Sequence, residues 1–181
     1  FIDLAVNAAG EEQLSLLARA IETDHAPAKP SKLVNQVASV VREVRPGVSA
    51  QIAATLEDCW PLNPIVAALL GPLSRRRFGQ NQRSIFGFLN SAEPEGFQEF
   101  IQHSEDGTLY NPDRLWDYLR ANLEGAILSS PDGHRWSIAV DAVERCGGLG
   151  GNSVHMQLIK SIALIDLFRE RSGLIANPDL L

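Results

Sequence analysis

The chain has 181 residues, of which 45% are hydrophobic and 21% are charged, and its formal net charge is −6 at pH 7. These values are ordinary for a globular protein with a core and exclude an intrinsically disordered chain. The negative charge argues against a surface coated with nucleic-acid-binding residues, although a local basic patch is compatible with it. No apolar run approaches the roughly 20 residues that cross a bilayer, and no secretory signal pattern is present. We therefore expect a cytoplasmic protein without a membrane partner.

Apolar residues recur at helical spacing through most of the chain. The spacing predicts helices over residues 11–22, 31–45, 48–59, 62–73, 84–89, 97–103, 111–127, 134–146 and 153–171. Proline- and glycine-containing stretches separate them, such as DHAPAKP at 24–30 and SSPDG at 129–133. The alternation typical of a half-buried strand does not persist beyond a few residues. The sequence therefore predicts an all-α, irregular multi-helix bundle.

Several details of these helices are specific enough to test. Ser31 is a plausible N-cap for the second helix. Pro72 should interrupt or kink the apolar helix at 62–73. In the helix at 97–103 we expect Ile101 to point inward. The last helix carries apolar residues at helical spacing, among them Val154, Leu158, Ile165 and Phe168.

The glycine-rich stretch GGLGGN at residues 147–152 predicts an internal boundary. We divide the chain into a helical lobe at 1–146, a linker at 147–152, and a C-terminal part at 153–181. That last part holds a long helix and the start of a following element. A phosphate-binding loop is excluded at the glycines, because Gly-Lys-Ser/Thr does not open the following helix. The chain begins at Phe1 and contains one methionine, so we expect it to be an internal piece of a larger protein.

Cysteine and histidine do not form a metal-binding pattern. Cys59 and Cys146 are far apart, and the four histidines are scattered along the chain. A zinc site needs clustered Cys and His ligands. We expect two buried, reduced thiols and no metal ligands.

Residues 75–83, with the sequence RRRFGQNQR, hold four arginines between two apolar segments. Guanidinium groups match the geometry of carboxylates and phosphates, so this arginine segment indicates a surface that faces an anion or a partner. The candidate contacts are Arg75, Arg76, Arg77 and Arg83, with Gln80 and Asn81 as supporting hydrogen-bonding residues.

A structural role accounts for the same arginines about as well. Arg75, Arg76 and Arg77 follow an apolar helix, and cations interact favourably with the C-terminal end of a helix dipole. The acids available to pair with Arg83 are then Glu93, Glu95 and Glu99. Both interpretations remain open from the sequence.

The residues around the arginine segment also carry a family resemblance. The chain reads PLNP at 61–64, RRR at 75–77 and GQNQRSIFGFL at 79–89. This order resembles a helical lobe of large prokaryotic P-loop ATPases of the AAA+/STAND kind, several of which are thought to serve in phage defence or related stress systems. The family pattern is Pro-Leu-His-Pro, an apolar helix, Arg-Arg and Gly-Gln-Asn-Glu-Arg-Ser-Leu-Phe-Ser-Phe-Leu. Weaker similarity extends over roughly residues 33–181. It includes the helix at 158–168, at which the family continues toward a winged-helix-like segment.

The resemblance implies a non-catalytic lid or sensor lobe. Asn63 and Gln82 stand where the family more usually has His and Glu, and the chain carries neither a Walker A motif nor an apolar strand ending in aspartate. The implied partner is an upstream nucleotide-binding domain of the parent chain, which would hold ATP and Mg²⁺. This chain alone would need no cofactor, and Arg83 is the first candidate for contact with the nucleotide phosphate, with Arg76 and Arg77 behind it.

A second class of function is compatible with the same residues. The chain would then be a helical interaction module that docks an acidic protein partner or a nucleic-acid backbone through residues 75–83. A self-contained hydrolase is disfavoured, because neither Gly-x-Ser-x-Gly nor His-Glu-x-x-His occurs.

Overall fold

The computed structural model describes residues 2–23, 30–45, 47–74, 85–178 and 180–181. Within these ranges the chain forms nine helices and no strand, which confirms the predicted all-α bundle. The helices are α1 (Ile2–Ala20), α2 (Lys32–Val44), α3 (Ile52–Glu57), α4 (Pro64–Ser74), α5 (Ile85–Leu89), α6 (Phe97–His103), α7 (Pro112–Leu128), α8 (Gly133–Gly148) and α9 (Ser153–Ser172).

Local capping explains where several helices begin and end. The Ser31 hydroxyl accepts a hydrogen bond from the Val34 backbone N–H at 3.2 Å, so Ser31 is the predicted N-cap of α2. Asn152 caps α9 in the same way and forms a reciprocal capping box with His155. Gly173 ends α9 in the left-handed conformation, with φ of 75°. These boundaries therefore follow from residues next to each helix.

Two helices, α4 and α9, organise the core. Helix α4 packs against α1, α2, α3, α5, α7 and α9, and α9 packs against α4, α7 and α8. Helix α4 is apolar on nearly all sides, and its residues Val66, Leu69 and Leu70 are fully or almost fully buried. A helix that is apolar on most sides needs neighbours on most sides. The position of α4 follows from that requirement.

A pair of stacked tryptophans joins α7 to α8. Trp116 and Trp136 are both fully buried, and their ring centroids lie 4.4 Å apart with an interplanar angle of 21°. The Trp136 indole N–H donates to the Glu124 carboxylate at 3.1 Å. Large stacked rings bury much apolar area and also gain from ring–ring attraction. This pair is a main determinant of how the C-terminal helices pack.

Three predicted boundaries differ from the structure. Helix α1 begins at Ile2, well before the predicted start at residue 11. Helix α4 continues through Pro72 to Ser74, because burial of its apolar faces offsets the backbone hydrogen bond that proline cannot donate. Helix α8 extends to Gly148, so the predicted linker begins within the last turn of that helix.

One residue predicted to point inward, Ile101, is exposed, and so are two residues of the apolar pattern in α9. Ile101 in α6 is 46% exposed, and Val154 in α9 is 63% exposed. Leu158 is also exposed, whereas Ile165 and Phe168, later on the same helix, are fully buried. Helix α9 carries apolar residues on more than one side, so helical spacing alone cannot show which side meets the core. The contacts of α9 with α4, α7 and α8 decide it.

Within the described ranges, no helix is both long enough and apolar enough to cross a membrane.

Candidate functional site

The predicted arginine segment lies outside the described residues. This applies to all the candidate residues, which are Arg75, Arg76, Arg77, Gln80, Asn81 and Arg83. The structure does describe the residues on both sides, where α4 ends at Ser74 and α5 begins at Ile85. We call α4 and α5, with the residues that hold them, the two anchors of the arginine segment.

The upstream anchor is α4, and its first residues lie next to the first residues of α7. The Asn63 N–H donates to the Tyr110 carbonyl at 3.1 Å, and the Tyr110 N–H donates to the Pro61 carbonyl at 2.8 Å. These two bonds form an isolated parallel bridge between Leu62 and Tyr110. Two Asn-Pro steps, one before each helix, therefore start α4 and α7 next to each other.

Asn63 completes this junction with its side chain. Its Oδ1 accepts from the Ile65 N–H at 2.9 Å, which caps α4. Its Nδ2 donates to Asn111 Oδ1 at 3.0 Å, which joins α4 to the residue that precedes α7. Asn63 is buried, so both polar ends of its amide are satisfied by protein groups. The sequence shows both Asn-Pro pairs, but it does not show that the side chains of Asn63 and Asn111, which are 48 positions apart, form a hydrogen bond.

We predict that Asn63→Ala lowers the free energy of unfolding by about 1–3 kcal/mol, because it removes a cap and leaves the Ile65 N–H without its acceptor. Asn111→Ala is the matched control, since it removes only the link between the two side chains and should cost less than about 1.5 kcal/mol. Urea unfolding followed by circular dichroism measures both values. A loss for Asn111→Ala as large as that for Asn63→Ala would contradict the capping role of Asn63.

The downstream anchor is an aromatic cluster around α5. The Phe88 ring packs edge-on against Tyr110 at 5.4 Å and against Tyr118 at 5.2 Å between centroids. It also contacts Phe97 at 6.0 Å. Phe88 and Leu89 are both buried, so the short helix α5 is held by its side chains rather than by its length. The arginine segment ends at residue 83, five positions before Phe88.

Tyr110 links the two anchors. Its backbone forms the bridge next to Asn63, and its ring lies in the aromatic cluster. The phenol donates to the Glu95 carbonyl at 2.6 Å. Burial raises the pKa of Tyr110 well above its usual value, so the phenol remains a hydrogen-bond donor at ordinary pH. Tyr110 thus contacts the elements on both sides of the arginine segment, through its backbone just before α4 and through its ring at α5.

Charged residues of α7 pair with other elements rather than with each other. Arg114 lies over the Phe100 ring at 5.3 Å and is 3.3 Å from the Glu99 carboxylate and 3.5 Å from that of Glu95. Two further ion pairs join α7 to other helices: Asp117 pairs with Lys160 of α9 and Arg120 pairs with Glu144 of α8, each at 2.6 Å.

Among the described residues, no cluster of three or more His, Cys, Asp or Glu side chains is suited to a metal ion. Burial, together with the nearby Asp58 charge, raises the pKa of the Cys59 thiol to about 12. Such a thiol stays protonated near neutral pH and is a poor nucleophile. Both cysteines are free, as predicted, but Cys146 is only half-buried.

Comparisons of the chain with protein-family models, with curated proteins and with solved structures found no match.

Proposed function

We propose that this chain is a non-catalytic helical lobe of a larger AAA+/STAND-like ATPase, and that it presents its arginine segment to nucleotide held by an upstream domain. The observation that supports this proposal is the pair of buried anchors. Binding residues are often placed on a loop that a rigid scaffold positions. Here α4 leads into the arginine segment and α5 follows it, and Tyr110 contacts the residues that hold both helices.

In this proposal, Arg83 is the first contact with the nucleotide phosphate, and Arg76 and Arg77 lie behind it. A positioned guanidinium stabilises negative charge that develops on a transferring phosphoryl group. Contact with Arg83 favours a closed arrangement of lobe and nucleotide-binding domain, and loss of the contact after hydrolysis releases it. The shift can be no larger than the difference in contact energy between the two arrangements. ATP and Mg²⁺ belong to the parent domain.

The second candidate function uses the same segment to dock an acidic protein partner or a nucleic-acid backbone. It is favoured by one feature of the composition. Four of the 16 basic residues fall within nine positions of a chain whose net charge is −6. Such a local cluster can attract an anionic surface although the whole chain is acidic.

The test is Arg83→Ala in the full-length parent protein, with ATPase rate and nucleotide affinity as readouts. We expect the rate to fall on the order of 100-fold, as on loss of one donor to developing charge. The exposed Arg169 supplies a matched control, because Arg169→Ala removes the same charge from the surface of α9. If both variants keep the wild-type ATPase rate and nucleotide affinity, the sensor role of Arg83 is excluded.

A salt titration separates the second candidate from the first. Nucleic-acid binding by the arginine segment should weaken steeply as salt rises, because phosphate contacts release counterions. Replacing Arg75, Arg76 and Arg77 together with Ala should reduce that salt dependence. Nucleotide-dependent activity in the parent without any salt-dependent association of this kind would favour the sensor lobe.

A further inference from the structure

Helices α8 and α9 enclose an open, mostly apolar groove of about 830 Å³. Exposed apolar side chains line it: Ile138 is 56% exposed, Leu158 is 39% exposed and Leu149 is 90% exposed. Isolated exposed apolar residues are common on protein surfaces, but a contiguous group indicates a contact surface. Three such residues around one groove form a group of this kind.

The groove-lining residues follow helical periodicity on both helices. On α8 and the turn after it they are Ile138, Asp141, Ala142, Arg145, Cys146 and Leu149. On α9 the spacing is similar, and the lining residues are His155, Leu158, Ile159 and Ile162. Stripes spaced three and four residues apart are typical of helices that pack along another helix. The groove therefore suits a helix as its occupant.

The charges on α8 narrow the choice of occupant. Arg135 and Glu144 are engaged with neighbouring helices, through Asp166 of α9 at 3.4 Å and Arg120 of α7 at 2.6 Å. Asp141 and Arg145 line the groove, and neither forms an ion pair with another described residue. They lie one helical turn apart, which corresponds to about 6 Å along the helix axis.

We propose that the occupant is a second copy of this chain, with the two α8 helices packed antiparallel about a two-fold axis. An axis that crosses α8 at the level of residue 143 brings Asp141 of each copy opposite Arg145 of the other. The same axis brings Ile138 near Leu149 of the second copy at both ends. The small side chain of Ala142 lies near the centre, where it allows the two helices to approach closely.

The charge pattern favours a second copy over a different partner. A two-fold interface must be self-complementary, because the same residues face each other from both sides. One acid and one base at equal distances from the centre satisfy this condition. A uniformly basic or acidic helix would match only one of the two charges and would oppose the other.

The test is sedimentation equilibrium of the 181-residue chain and of charge-exchange variants. Asp141→Arg places two arginines opposite each other, and Arg145→Asp places two aspartates opposite each other. Each single variant should raise the dimer dissociation constant at least about tenfold, because like charges then meet. The double variant Asp141→Arg/Arg145→Asp restores the complementary pattern and should return the constant to within about threefold of the wild-type value.

Leu149→Asp should abolish the dimer, and Leu16→Asp is its control, because Leu16 is 49% exposed on α1, away from the groove. Circular dichroism shows that each variant retains its helices. A wild-type chain that is monomeric at about 100 µM overturns the proposal, since a standard interface is populated there. A dimer that tolerates Leu149→Asp, or one that the double variant fails to restore, overturns it as well.

Discussion

Replacing Trp116 with Ala should lower the free energy of unfolding by about 3–5 kcal/mol, the usual range for removal of a fully buried large aromatic ring. Trp116 is fully buried and stacks on Trp136 at 4.4 Å, so the substitution leaves a cavity between α7 and α8 and removes the ring–ring contact. Small domains are stable by only about 5–15 kcal/mol. We therefore expect a large decrease in the urea midpoint, measured by circular dichroism.

The two tryptophans provide a matched comparison. Within the described part of the chain the Trp116 indole N–H has no hydrogen-bond partner, whereas the Trp136 indole N–H donates to Glu124 at 3.1 Å. Phenylalanine keeps a ring at either position but cannot donate. Trp136→Phe should therefore cost about 1 kcal/mol more than Trp116→Phe, through the lost hydrogen bond and the unpaired carboxylate. Equal costs would show that the Glu124 contact contributes nothing measurable.

Replacing Phe88 with Ala should also cost about 3–5 kcal/mol, because Phe88 joins α5 to three other aromatic rings. Phe88→Leu keeps most of the apolar volume and should cost clearly less. Thermal unfolding of the two variants measures the difference. A similar loss for both would mean that edge-to-face ring contacts, rather than buried volume, hold the cluster.

Phe88→Ala carries a second expectation that rests on the proposed function. Loss of the downstream anchor should disturb the arginine segment. The ATPase rate and the nucleotide affinity of the full-length parent should therefore fall below the wild-type values. Trp116→Ala is the control, because it removes a similar volume from the contact between α7 and α8. Both variants are assayed below their unfolding midpoints. Equal ATPase rates and nucleotide affinities of the two variants would mean that lost core stability, and not the lost anchor, causes the decrease. That result would contradict the anchor role of α5.

Helix positions could be predicted from the chain because their signals are local. The Ser31 cap, the Asn-Pro start of α7 and the Gly173 end of α9 each lie beside the helix they delimit. Apolar spacing predicted α6 with both boundaries correct. The error at α1 arose because an alanine-rich first half carries weak periodicity, although alanine favours helices.

Contacts between distant segments could not be predicted in the same way. The amide of Asn63 meets Asn111, and Arg114 meets Glu95 and Glu99, across separations that no local pattern encodes. The arginine segment was recognised from composition, and its contact with nucleotide, protein or nucleic acid stays a prediction. The winged-helix-like continuation also stays a prediction, and residues 174–176 form neither a helix nor a strand.

Helix α9 is the clearest case in which the local sequence predicts a helix but not the side of it that packs against the core. Its apolar residues established that it is a helix of a globular protein, because the 3.6-residue period depends only on neighbours along the chain. Those residues lie on more than one side, so several orientations bury similar amounts of apolar surface. Packing against α4, α7 and α8 selected the side that carries Ile165 and Phe168 for the core. The same choice left Leu158 exposed at the α8–α9 groove, because a helix cannot turn every apolar side toward one core.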